Sequence, residues 1–472
     1  MRKPRVGLLL IGAERFKKIG EGTVRGNYTE RKVLEAQKMV DDANVHFDAV
    51  FPGIVYTAED TRLAIDCFWA EKVDCVLAIF LSWADDFTWN RFLRDMPPIP
   101  VLFAHKARDF AQLGDTHDED EFCEFLSMGG LVGTLEASGD MARYNRPMME
   151  IAIGNWQKVL DRVVVFAKAA RTRALLKEAH MGLLACYNEV MWSTYVDPYR
   201  VFMQVGPEMH FLSGVELLNE VEAVSAEECA AVTAKLKDRF EVLPDVEEEK
   251  LVASVRASMG MENLAKKYDV SLVVYNDIDK AMLTGLGLRP GFYPTREGLD
   301  LVIVPEGDVG SGLAGLMLKL LTDKTVHYIE PFHIDLPSDT FEGGHAGPND
   351  YTHPYGKTKI SRDVRFAKMP YRYAGAPFAW HVFPEGRKTM LHVSQHKDHF
   401  VLAVTLVDSL PCEPHLATYS HGRFKPVGQS CTELFEKLMR IGVTQHYLLV
   451  DGDVTNEVMD LGHFLGFECH KL

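Results

Sequence analysis

From residue 6 onward, short runs of apolar and β-branched residues alternate with longer stretches in which apolar positions recur every three or four residues. The first run, Val6-Gly-Leu-Leu-Leu-Ile-Gly, is followed by a polar helical pattern over 30–42 and an apolar run over 47–51. A helix from 58 and further runs over 73–81 and 101–104 come next. Such alternation predicts a parallel sheet covered by helices, because each parallel pair needs a crossover long enough to hold one. The series resumes after the amphipathic stretch 155–180, with strands over 181–187, 270–275 and 299–304 and helices near 225–239 and 250–267. A second doubly wound unit is the reading.

Near residue 325 the pattern changes to short strands separated by Gly, Pro and Asp turns, among them the hairpin-like pair 389–395 and 399–407. This predicts an antiparallel barrel. Two helices interrupt its end: one opens with the capping box Ser430-x-x-Glu433 and stops at Gly442, and the other runs over 456–465. The expected fold is therefore α/β: two doubly wound, Rossmann-like domains over 1–170 and 171–324, then a β-rich, barrel-like domain over 325–472. That agrees with a chain of 472 residues at roughly 150 per domain.

Composition narrows the function classes. Hydrophobic residues make up 47% and charged residues 25%, the balance of an ordinary folded protein. The net charge of −16 excludes a general nucleic-acid or anionic-membrane surface. The eight cysteines stand singly, without a CxxC pair, which suggests reduced thiols and a cytoplasmic protein. Glu14, Arg15, Lys17 and Lys18 follow the first apolar run, which is far shorter than a membrane span and reads as a strand. The glycines 285, 287 and 291 precede a strand instead of following one, and no GxxxxGK[ST] loop occurs, so a phosphate cradle has little support.

The candidate chemistry lies in the last third. If Thr325-Val-His-Tyr-Ile-Glu-Pro-Phe-His-Ile-Asp335 is extended, Val326, Tyr328, Glu330, Phe332 and Ile334 share one face, with His327 and His333 on the other. Glu330 then sits in an apolar row, where a carboxylate needs a metal, a cation or a proton, unless the strand is an edge and it reaches solvent. A second carboxylate, Glu306, ends the run Val302-Ile-Val-Pro-Glu306-Gly-Asp. Carboxyl ends of strands in open α/β sheets are where ligands bind, although Glu306 or Asp308 can equally cap the helix that follows. His345 lies in Glu342-Gly-Gly-His-Ala-Gly-Pro348, read as a tight turn, and His446 opens a β-run after Gly442. His392, His396 and His399 fall on the predicted hairpin, where alternation does not aim them at one point, and they read as structural.

The order Glu306-Gly-Asp, Glu330, Gly344-His345 and Gln445-His446, behind two α/β domains, resembles the L-arabinose isomerase and L-fucose isomerase superfamily, on its arabinose side. The resemblance implies that Glu306, Glu330, His345 and His446 hold one divalent ion, Mn²⁺ or another such as Co²⁺ or Mg²⁺. It further implies that Glu306 and Glu330 move protons in an aldose–ketose isomerisation of a small sugar. A trimer-based homo-oligomer, commonly a hexamer, is implied as well. A sugar epimerase or a non-enzymatic sugar sensor are the alternatives. The chain also departs from that pattern: Gln445-His446 stands where those isomerases carry His-His, and Glu330-Pro-Phe332 where they carry Glu-Asp-Tyr. The loop over 11–16 lacks their Gln, and Met128 stands where a substrate-binding histidine is expected. Phe332 and Gln445 are thus the candidate substrate-binding residues, and an altered sugar preference is expected.

Overall fold

The computed structural model describes residues 2–108, 114–115, 117–127, 129–286, 289–296, 298–347, 349–352, 358–365, 367–372, 374–416 and 418–472. Met128, Gly287 and Pro348, which the sequence reading touched, lie outside the described residues. The protein is mixed α/β and divides into two compact units, Met1–Ala174 and Leu175–Leu472.

The first unit is built on five parallel strands, β1 (Arg5–Ile11), β2 (Asp48–Val50), β3 (Cys75–Phe80), β4 (Val101–Lys106) and β5 (Met149–Gly154), in the order β2-β1-β3-β4-β5. The central strands β1, β3 and β4 are buried almost throughout, as sheets with both faces covered require. The helices Tyr28–Asn44 and Ala58–Ala70 open on reciprocal capping boxes at Asn27/Glu30 and Thr57/Asp60, which satisfy otherwise orphaned amides.

In chain order the strands of the second unit are β6 (His180–Leu184), β7 (Glu208–Leu212), β8 (Glu241–Val242), β9 (Leu272–Tyr275) and β10 (Val302–Val304). They continue with β11 (Val326–Asp335), β12 (Thr340–Ala346), β13 (Lys359–Arg362), β14 (Pro377–Trp380), β15 (Gly386–His396) and β16 (His399–Leu410). The last are β17 (Tyr419–Pro426), β18 (Tyr447–Asp451) and β19 (Glu468–Lys471). A parallel sheet runs β10-β9-β6-β7, and β8, β13 and β14 form a small sheet of their own. Six antiparallel strands close on themselves in the cycle β15-β18-β11-β12-β17-β16, so the barrel expected from the turn spacing is present. Closure removes sheet edges, and among the described residues only β19 adds on outside, parallel to β16. Among the described residues no helix is long and apolar enough to cross a membrane.

The helix Val309–Thr322 joins the two layers of this unit. It touches β9 and β10 of the parallel sheet and β11, β15 and β18 of the barrel, and nearly all of its residues are buried. Small residues make the approach possible: a Cβ at Gly310 would come to 2.4 Å from the Val393 carbonyl oxygen.

Two simple expectations are corrected. His345 is not in a turn but in β12, where Gly344 lets β17 approach so closely that a Cβ would sit 2.2 Å from the Ser420 oxygen. The strand containing Glu330 also loses its alternation. Pro331 pairs with Gly343 and His333 with Glu342, leaving Phe332 as the extra residue of a bulge. Ile334 therefore turns to the opposite face and packs with Ile329 and Phe341.

Two fully buried histidines of this unit give a pH prediction. Burial, with a neighbouring charge from His421, pushes His381 down to about 3, and burial pushes His392 down to about 4. The unfolded chain takes up a proton on each below about 6.5 while the folded protein does not. Their contribution to stability is complete above 6.5 and falls with pH by about 1.4 kcal/mol per histidine per pH unit until the folded values are reached. Urea midpoints measured at pH 7 and pH 5 should drop accordingly; equal midpoints would contradict the burial of neutral imidazoles.

Candidate metal centre

The parallel strand β10 ends at Pro305, and the chain reverses through two left-handed residues, Glu306 (φ 62°) and Gly307 (φ 67°). A left-handed glutamate is uncommon and is held here by its surroundings. The Glu306 amide donates to Asp277 Oδ1 at 3.1 Å and the Gly307 amide to the Tyr275 carbonyl at 3.1 Å. The bend aims the Glu306 carboxylate back across the helix start, 7% exposed.

His345 and His446 face that carboxylate. His345 Nε2 lies 3.4 Å from Glu306 Oε1, while its Nδ1–H donates to the Ala346 carbonyl at 2.7 Å. His446 Nε2 lies 3.2 Å from Glu306 Oε2, and its Nδ1–H donates to Asp308 Oδ2 at 2.8 Å. In both rings the outer nitrogen is committed to an oxygen, which fixes the ring and turns Nε2 toward the glutamate, the arrangement found behind metal-ligating imidazoles. Tyr328, buried, meets the His345 ring edge to face at 4.6 Å and the His446 ring at a tilt at 4.7 Å. Glu330 Oε2 comes within 3.8 Å of His446 Nε2, with 28% of its side chain exposed.

The electrostatics describe a site short of positive charge. Burial alone would raise the Glu306 carboxyl, but the imidazoles of His345 and His446 beside it outweigh burial and hold the group far below the carboxylate range. Burial alone would lower His446, but Asp308 and Glu306 outweigh it and raise the imidazole to about 9. Without a metal, a proton on His446 therefore supplies the cation that the two carboxylates need. Two buried atoms, Glu306 Oε2 and His446 Nε2, still have no hydrogen-bond partner. These orphaned atoms and the mixed oxygen and nitrogen donor set fit a divalent ion of the Mn²⁺, Co²⁺ or Mg²⁺ kind.

Of the four residues expected to meet, three do so closely: one donor atom from each of Glu306, His345 and His446 lies within 4.8 Å of the others. Glu330 stands at the open side of this group. Phe332, on the bulge, is 39% exposed and packs edge-on against Tyr419, whose ring in turn faces His345 at 6.2 Å. Gln445 is exposed and its amide contacts Met191 Sδ at 3.4 Å.

Sequence reasoning missed several supports. Asp308 does cap its helix, through Ser311 N and Oγ, but its second oxygen is the one that holds His446. His392, read as merely structural, donates from Nδ1 to the His446 carbonyl at 2.8 Å and so sits directly behind a candidate ligand. Asp277, which anchors the Glu306 amide, is itself buried against Arg289, and Arg289 also pairs with Asp363. The Glu-Gly-Asp triplet before Gly-Ser-Gly was the available signal for Asp308; nothing local marked the others. No protein-family model and no curated protein matches the chain.

Proposed function

We propose that the protein is a metal-dependent aldose–ketose isomerase acting on a small sugar. The observation that carries this reading is the convergence of Glu306, His345 and His446 on one point, with Glu330 at 3.8 Å on its accessible side. A bound divalent ion would polarise adjacent sugar oxygens and offset the negative charge that develops on them. Glu330 accepts the carbon-bound proton and returns it to the neighbouring carbon. Glu306, kept ionised by its two imidazoles, serves as ligand and as the second carboxylate of the proton transfer. Asp308 and His392 hold His446 in register, and Tyr328 walls the site on its buried side. Return of the proton to the opposite face of the same carbon would instead make the enzyme an epimerase.

On this reading the two parallel sheets are doubly wound, Rossmann-like domains over 1–170 and 171–324, ahead of a barrel domain over 325–472. The strand order of the first, 2-1-3-4-5, is one of the common doubly wound orders. The enzyme is cytoplasmic and assembles as a trimer-based homo-oligomer. The deciding experiment is incubation of the Mn²⁺-loaded protein with pentoses, hexoses and deoxysugars, following ketose formation. Ketose from any of them supports the reading; sugar binding without turnover or bound metal would make the protein a sensor.

L-arabinose should not be the best substrate. Losing one buried polar partner for a sugar hydroxyl costs about 1–3 kcal/mol, roughly one to two decades in rate. Phe332 offers an apolar edge where a hydrogen-bonding phenol is expected, and Gln445 an amide where an imidazole is expected. Comparing kcat/KM for L-arabinose with that for deoxysugars and other aldoses checks this, and a clear preference for L-arabinose refutes it.

A further inference from the structure

A second cluster of metal-type donors lies in the same unit and shares no residue with the first. Residues 411–418 connect β16 to β17, and Cys412, His415 and His421 each place a donor atom within 4.8 Å of the others. Glu342 of β12 adds a carboxylate oxygen 3.2 Å from His415 Nε2.

The hydrogen bonding around the two rings is informative. His415 Nδ1–H donates to the Glu413 carbonyl at 3.0 Å, and His421 Nδ1–H donates to the Tyr419 carbonyl at 2.8 Å. A backbone carbonyl only accepts, so each neutral ring carries its proton on Nδ1 and leaves a lone pair on Nε2. His415 Nε2 faces the Glu342 carboxylate at 3.2 Å, a pair that a metal ion or a proton between the two atoms can satisfy. His421, fully buried, receives at Nε2 a long contact of 3.4 Å from the His415 amide and also lies against the Glu413 backbone. The rings meet edge to face with centroids 4.5 Å apart, so their Nε2 atoms are not shielded by stacking. An open cleft of about 420 Å³, lined by Trp380, Phe383, Cys412 and Glu413, gives an ion a path to the thiol.

We infer that Cys412, His415, His421 and Glu342 form a binding site for a single zinc-type divalent ion, separate from the Glu306 centre. One thiolate, two imidazoles and a carboxylate are a borderline-soft, four-coordinate set, which suits Zn²⁺ and disfavours Mn²⁺ or Mg²⁺. On binding, the Cys412 thiol loses its proton to solvent as the sulfur–metal bond forms, and no electron is transferred. The ion ties the connection before β17 to β12. Tyr419, whose ring separates Phe332 from His345, lies between two of the ligands in sequence, so the site fixes one wall of the Glu306 centre.

Co²⁺ titration of the chelator-stripped full-length protein tests this without reference to catalysis. The Glu306 centre offers only oxygen and nitrogen, so a near-ultraviolet thiolate-to-cobalt charge-transfer band reports on the Cys412 cluster. The band should saturate by two equivalents, because the Glu306 centre also takes Co²⁺, disappear on addition of Zn²⁺, and be absent from Cys412→Ser. Zn²⁺ should raise the melting temperature of the wild type by more than that of Cys412→Ser, which keeps only the Glu306 centre. His415→Ala, at an exposed position, provides a second variant and should lose the band too. A wild type without the band, or a band that persists in Cys412→Ser, overturns the assignment.

Discussion

Glu330→Gln should cut turnover by about 10²- to 10⁴-fold, the range that a positioned acid–base group supplies. The amide fills the same space but accepts no proton from carbon. Because 28% of the Glu330 side chain is exposed, its replacement leaves no buried charge unpaired. Stability should stay within about 0.5 kcal/mol, as for ordinary surface substitutions. Mn²⁺ should still bind, since Glu306, His345 and His446 form the tight group without Glu330. Steady-state kinetics, a urea melt and a Mn²⁺ titration on one preparation separate these effects. A kcat near that of the wild type would remove Glu330 from the chemistry.

His446→Ala should have the largest effect on both folding and metal binding. The imidazole stands between the carboxylates of Asp308 and Glu306, at 2.8 and 3.2 Å, and all three residues are buried. Deleting it strands two negative groups without their shared cation, and breaking a buried pair in this way costs about 3–5 kcal/mol. Chemical unfolding should show that loss, and titration calorimetry should show no Mn²⁺ binding at the Glu306 centre. Retained Mn²⁺ affinity in the variant would mean that His446 is not a ligand. Asp308→Asn is a milder counterpart: it keeps the helix cap but removes the charge that helps hold the His446 proton, so the His446 pKa should fall.

Much of this arrangement was legible in the chain because it depends on local pattern. Alternating runs and helices announced the parallel sheets, and turn spacing announced the barrel. Glu306, His345 and His446 were visible as polar residues at places where an apolar strand starts, ends or bends. What escaped was decided by pairing between distant segments. His392 supports His446 only because β15 lies beside β18, a neighbour relation that no spacing within the hairpin encodes. Ile334 was misplaced by strict alternation because the bulge opposite β12 inserts a residue into the count. Asp308 was read as a cap, and it is one; a side chain with two oxygens can satisfy a helix end and an imidazole together. Cys412 was weighed only against other cysteines, so its proximity to His415 and His421 carried no signal.

The helix Val309–Thr322 has a mechanical consequence. Its N-terminus carries Glu306 and Asp308 from the parallel sheet, whereas His345, His446 and Glu330 come from the barrel, and the helix is wedged between the two layers. Apolar along most of its length, with Lys319 its one charged residue, it has little polar surface to offer water if either layer pulls away. The ion-binding geometry is thus set at a seam rather than inside one layer, like a rivet whose head and shank are forged from different plates. Opening the seam by even a small shear would misalign Glu306 from its imidazoles, and the grip on the ion and the cohesion of the two layers would rise and fall together.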